Sequence, residues 1–170
     1  ELLYSFLGTW DKSGTCVCLD ASLSGEELVY YINDSDSKYI YTSKGNLPKV
    51  QKALEISRKT LGIAVVDEIE DKEFDGELVI NAPAPENVAL MLYTSGTTGN
   101  PKGVMLKFDN ILINVEGLDK YNMFVQEDIV LALLPMHHIF PLLGSGVIPL
   151  AKGATIVFLK EMSSQAMVDA

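Results

Sequence analysis

The sequence predicts an α/β fold, a parallel-rich sheet flanked by helices. Three observations lead there. Short apolar runs alternate with helix-period stretches along the first half of the chain. Several of those runs are continuously apolar, as strands buried on both faces are. The 170 residues, 48% hydrophobic and 21% charged, are enough for one domain with its own core.

Residues 2–7 read like the last turns of a helix already under way. Residues 17–20 form a short apolar run ending in Asp20, a strand. Ser24 stands before Gly25-Glu26-Glu27 and the Leu28/Tyr31/Ile32 spacing, which predicts a capped helix. Asn33-Asp34-Ser35-Asp36-Ser37 is a turn cluster. Residues 38–43 alternate as a strand does. Residues 46–60 carry Leu47, Val50 and Leu54 with Pro48 in the first turn, which predicts an amphipathic helix. Residues 62–66 are a further buried strand. Strand, helix, strand, helix, strand is the pattern of a parallel right-handed unit.

Residues 67–87 break the pattern. They are acidic, then hold Pro83 and Pro85, and predict a surface connection. Residues 88–93 resume as a buried strand. A helix over 109–121, a strand over 129–134, a short buried helix over 142–150 and a strand over 154–159 complete the series.

Charge and cysteine usage exclude several classes. The net charge of -10 and pI near 4.5 repel phosphate backbones, so nucleic-acid binding is excluded on electrostatic grounds. An anionic ligand must be held by local geometry. Cys16 and Cys18 share one face of a strand, too close for an easy disulfide and without a second pair for zinc. They predict free buried thiols and a reducing compartment, here taken as the cytoplasm. Residues 129–151 hold no charged side chain and are long enough to cross a bilayer. Pro135, Pro141 and Pro149 break that run, so a strand, loop and helix are expected, with peripheral membrane contact left open.

The densest chemistry lies in Tyr93-Thr94-Ser95-Gly96-Thr97-Thr98-Gly99-Asn100-Pro101-Lys102-Gly103. The glycines permit backbone shapes that side chains forbid and let a ligand approach. Successive main-chain N–H groups can form an anion nest. Thr94, Ser95, Thr97 and Thr98 add hydroxyls, and Lys102 adds one point charge. A Walker loop would need Gly-Lys-Ser/Thr after four residues, whereas Pro101 stands five residues after Gly96 and Gly103 follows Lys102. A flexible surface turn is the plainer alternative; the strand before the run and the lysine at its end speak for a polyphosphate cradle.

This run, with Val104-Met105-Leu106 after it, resembles the signature of the adenylate-forming acyl-CoA synthetases, luciferases and peptide-synthetase adenylation domains. Leu133-Leu134-Pro135-Met136-His137-His138-Ile139-Phe140 resembles that family's Pro-x-x-His-x-aromatic segment. The resemblance covers the chain as part of the large amino-terminal domain. It implies ATP, Mg2+ and coenzyme A. It assigns Thr94, Ser95, Gly96, Thr97, Thr98, Gly99 and Lys102 to the phosphates and His138 to the substrate carboxylate. It implies activation of a carboxylic acid to an acyl-adenylate and transfer to coenzyme A. The segment around His138 looks most like bacterial medium- or long-chain fatty acyl-CoA synthetases. Amino-acid or aryl-acid adenylation, and a nucleotide-binding fragment without turnover, are the alternatives.

Both ends look cut, and the family's small carboxy-terminal domain, magnesium motif and catalytic lysine are expected outside these residues. Where the family often has Ser/Thr-His, this chain has Lys107-Phe108-Asp109-Asn110, so the next helix is expected to be capped by Asp109. His137 and His138, read as consecutive extended residues, are expected to point apart, with His137 structural. Ile139, Phe140, Leu142 and Leu143 are expected in the core or along an acyl tunnel.

Overall fold

A computed structural model of the chain describes residues 2–69, 81–94 and 99–159. Its elements run α1 (Leu2–Asp11), β1 (Cys16–Cys18), α2 (Gly25–Asp34), β2 (Tyr39–Thr42), α3 (Leu47–Ser57), β3 (Gly62–Val65), β4 (Val88–Thr94), β5 (Lys102–Lys107), α4 (Phe108–Asp119) and β6 (Ile129–Ala132). A helical stretch follows in three pieces, α5 (Ile139–Leu142), a π turn (Leu143–Val147) and α6 (Ile148–Ala151), and then β7 (Thr155–Phe158). The expected strands and helices are present with shifted ends. The acidic stretch 70–80, the loop residues Ser95, Gly96, Thr97 and Thr98, and the carboxy-terminal 160–170 lie outside the described residues.

The pairing corrects the expectation of one consecutive parallel unit. β1 pairs with β4, β2 with β3 and β6 with β7, all parallel. The strand after β1 in sequence therefore does not lie beside it among the described pairings. β4 is the central strand of its sheet, with β1 on one side and β5 on the other. β5 is antiparallel to β4, in register from Leu90↔Leu106 to Thr94↔Lys102. The sequence reading took residues 102–107 only as the tail of a motif. Six residues between a loop and a helix gave no separate strand signal.

Helix ends follow local chemistry. Ser24 and Glu27 form a reciprocal capping box, the Ser24 hydroxyl accepting from the Glu27 N–H at 3.2 Å and the Glu27 carboxylate from the Ser24 N–H at 2.8 Å. α3 begins with Pro48 in its first turn and ends at Arg58, whose φ of 55° is left-handed. α4 departs from expectation, because Asp109 lies in its first turn and Lys107 is the cap position. β5 runs directly into this helix, so the last strand residue takes that place. The exposed donors are met from elsewhere: Phe108 N–H reaches the Asn87 carbonyl at 3.0 Å and Asp109 N–H the Pro85 carbonyl at 2.9 Å. The proline-bearing connection thus has a job, closing the start of α4.

The core gathers where α1, β4, α4 and α5 meet. Phe6, Ala89, Leu90, Ile111 and Leu142 are buried there, with Trp10, Cys16, Cys18 and Phe108 packed against them. Trp10 meets Phe6 and Phe108 at ring distances of 5.6 Å and donates its indole N–H to the Ala89 carbonyl at 3.0 Å. That bond ties α1 to the central strand and satisfies the one polar atom of the ring. The membrane expectation for 129–151 resolves into strand, turn and broken helix; no helix among the described residues is long and apolar enough to cross a membrane. Leu142 is core, whereas Ile139 and Phe140 are exposed at 38% and 75%, contrary to the sequence reading. The first turn of α5 leaves the surface of the core before the helix enters it.

Cys16 and Cys18 are free and half-buried. Burial pushes both thiols up from their ordinary 9.0 to about 12. A thiol whose folded value lies above its unfolded value stabilises the fold below about pH 9, and that contribution is lost as pH rises toward 12. Iodoacetamide labelling of the folded protein at pH 8 is expected to run more than about tenfold slower than after denaturation. Equal rates in the two states would show that the thiols are open to solvent.

Candidate phosphate and carboxylate site

Strand β4 delivers the loop. Its inner residues Ala89 and Leu90 are fully buried, while Thr94 at its end is exposed. The chain returns as β5, and the ladder closes on Thr94 opposite Lys102. The expected phosphate loop is thus the tip of a β-hairpin, and the pairing brings one predicted hydroxyl and the predicted lysine together at its mouth. Lys102 is exposed, free to turn its ammonium toward an anion. Gly99 has φ of +100°, a backbone shape that side chains strain to adopt. Gly103, opposite Tyr93, lies under the Met91 side chain; a Cβ there would meet the Met91 methyl at 2.0 Å. The positions of Ser95, Gly96, Thr97 and Thr98 fall outside the described residues.

Aromatic side chains surround the hairpin mouth. Tyr93 packs edge-on against Tyr31 at 4.7 Å and lies 6.4 Å from Tyr30. Its hydroxyl donates to Asp34 Oδ2 at 2.7 Å. Burial, then the Asp34 bond and charge, raise the Tyr93 hydroxyl above its ordinary 10.0, so it remains a donor at neutral pH. Tyr30 donates its hydroxyl to the Pro101 carbonyl at 2.6 Å. Sequence reading missed Tyr30, Tyr31 and Asp34, because a tyrosine pair on an amphipathic helix carries no signal of its own.

His138 stands at the cap position of α5, exposed, with its N–H on the Pro135 carbonyl at 3.3 Å. That turn overrides the expected divergence of the pair. The His137 and His138 rings lie 4.1 Å apart, tilted by 50°. Residues 135–138 turn, so the alternation that separates neighbours in an extended strand does not apply. His137 is half-buried, its Nε2 3.7 Å from Asp20 Oδ2 beyond the end of β1. Asp20 is held below its ordinary 3.8 first by the Ser22 N–H, which donates to Oδ1 at 2.8 Å, and less by the two histidines. The end of β1 and the segment after β6 therefore meet at this point. A cleft of about 1280 Å3 opens beside them, with Cys18, Leu23, Ile40, Met91, Met105 and His137 in its walls.

The glycine- and hydroxyl-rich loop after β4, the lysine at its foot and the histidine segment match the pattern that the sequence resemblance assigns to adenylate-forming enzymes. The chain belongs to the AMP-binding enzyme family, whose model matches residues 1–170. The mitochondrial malonate–CoA ligase ACSF3 of Bos taurus is 33% identical over 159 residues, 92% of this chain and 27% of that protein. The oxalate–CoA ligase of Arabidopsis thaliana is 30% identical over 165 residues, 92% of this chain and 32% of that protein. ATP-bound MatB from Rhodopseudomonas palustris shares the fold, with a TM-score of 0.79 at 22% identity over 99% of this chain and 34% of that one. The chain thus spans about a third of the length of the relatives it matches. The α/β fold class expected from the sequence is the fold of that family's amino-terminal region.

Gly99→Ala places a side chain in the positive-φ region and is expected to lower stability by about 1 kcal/mol in chemical denaturation. An unchanged midpoint would show that the loop relaxes to a negative φ without cost.

Proposed function

We propose that the whole protein to which this chain belongs is an acid–CoA ligase. It activates a small carboxylic acid with ATP and passes the acyl group to coenzyme A. The observation that carries this reading is the hairpin closure. It sets Thr94 and Lys102 across from each other at the two feet of a Gly/Ser/Thr loop, in a chain of the AMP-binding enzyme family.

The reaction has two steps. A carboxylate oxygen attacks the α-phosphorus of ATP, the bond to the bridging oxygen breaks, and pyrophosphate leaves. The thiol sulfur of coenzyme A then attacks the acyl carbon, and AMP leaves while the thiol proton passes to solvent. In the first step charge gathers on the departing pyrophosphate. Main-chain N–H groups of residues 95–99, the Thr94, Ser95, Thr97 and Thr98 hydroxyls and the Lys102 ammonium are assigned to that charge. Gly96 and Gly99 give the loop its freedom of shape. Donors fixed in advance where charge develops are the main source of rate in such transfers. His138 is assigned to the substrate carboxylate, with His137 and Asp20 behind it. Magnesium would supply charge neutralisation between phosphates. Among the described residues no group of three His, Cys, Asp or Glu could hold it.

A small acid is supported by two relatives, which are named for malonate and oxalate. Both are dicarboxylates. The medium- or long-chain fatty acid suggested by the segment 133–140 takes second place. The free thiols support a reducing compartment such as the cytoplasm.

In the full-length protein Lys102→Ala is expected to slow malonate-dependent ATP–pyrophosphate exchange by about ten- to a hundredfold, as loss of a charged phosphate contact does. Exchange at the wild-type rate would remove Lys102 from the phosphate site.

A further inference from the structure

Helix α2 reaches both feet of the loop. At the downstream foot, the Tyr30 hydroxyl donates to the carbonyl of Pro101, the residue before Lys102 and 71 positions away in sequence. At the upstream foot, the hydroxyl of Tyr93, the residue before Thr94, donates to Asp34 at 2.7 Å. Tyr30 and Asp34 are one turn apart, so a single face of one helix carries both contacts. The Tyr31 ring sits between them, edge-on to Tyr30 at 5.5 Å and to Tyr93 at 4.7 Å.

The placing of these contacts gives them meaning. The β4–β5 ladder ends at Thr94↔Lys102. Beyond that pair, main-chain N–H groups that are to meet phosphates cannot be spent on main-chain carbonyls of the hairpin. The shape of the loop then has to be fixed from outside the hairpin. Pro101 has no N–H and a locked φ, so its carbonyl is its one main-chain hydrogen-bonding group. A loop held in its binding shape beforehand loses less freedom when the ligand arrives.

We propose that α2 is a clamp that pre-sets the loop for the polyphosphate of a nucleoside triphosphate, with Tyr30 and Asp34 as positioning residues. This rests on the reading of the loop as the nucleotide site. Neither residue touches the reacting atoms; each acts through the loop foot it holds.

Tyr30→Phe in the full-length protein tests this, since it keeps every ring contact and deletes only the hydroxyl. The Kd for MgATP by calorimetry, and the KM for ATP, are expected to rise about two- to tenfold, the range of one neutral hydrogen bond. The KM for the acid is expected to stay within about twofold, while kcat falls along with ATP affinity, because the same loop donors meet the charge that develops on pyrophosphate. Amide exchange over residues 94–103 should quicken while that over 88–92 holds. Asp34→Ala should share the loss of ATP affinity, and Asp34→Asn, which keeps an acceptor oxygen for Tyr93, should restore it. Unchanged amide exchange over 94–103 in Tyr30→Phe, or quicker exchange with an unchanged Kd for MgATP, overturns the clamp. So does a variant whose KM for the acid rises as much as its KM for ATP, the mark of general structural damage. A wild-type protein without acid-dependent pyrophosphate exchange counts against the acid-activating reading alone, because calorimetry and amide exchange test the clamp without turnover.

Discussion

The main-chain ladders on the two sides of β4 set where everything else goes. β1 pairs with it in parallel at Cys16↔Leu90 through Cys18↔Leu92, and β5 returns along its other edge. A strand bonded on both sides and buried at Ala89 and Leu90 has no freedom to slip, because a shift by one residue would put alanine where leucine packs and leucine where alanine packs on its two buried faces. Trp10 adds a side-chain bond to the Ala89 carbonyl, and Leu142 and Ile111 complete the packing. The residues that flank the loop, Thr94 and Lys102, are the last pair of this ladder and are held by it.

The proposed binding of a polyanion by an acidic chain works against the chain's own field. With a net charge of -10, attraction at long range is unfavourable, and salt screens it only in part. The compensation is local. Lys102 brings a cation to the hairpin mouth, and Tyr93, protonated at neutral pH, spends its proton on Asp34 so that this carboxylate is occupied at the loop's upstream foot. Precise placement therefore substitutes for net charge. The same economy appears at the histidine segment, where Asp20 faces His137 while His138 stands exposed beside it.

Much of this was legible in the sequence, for definite reasons. The Ser24 cap, the Pro48 start of α3 and the apolar runs of β3 and β4 each carry a local physical signature, and each became the element it predicts. The family followed from the residues of the loop itself. What stayed hidden was pairing. Nothing in residues 16–18 says that their partner lies beyond residue 88 instead of at the next strand. β5 was concealed because Lys102 and Gly103 read as loop, and its exposed Val104 and Met105 gave no alternation. The clamp was hidden for the same reason, since Tyr30 and Pro101 are related by tertiary structure alone.

The proposed role of the loop is to serve attack at the α-phosphorus. Phosphorus NMR of the full-length protein turning over ATP with malonate and coenzyme A tests it most directly. AMP and pyrophosphate are expected in equal amounts, formed only when the acid is present. ADP and inorganic phosphate in their place would contradict it.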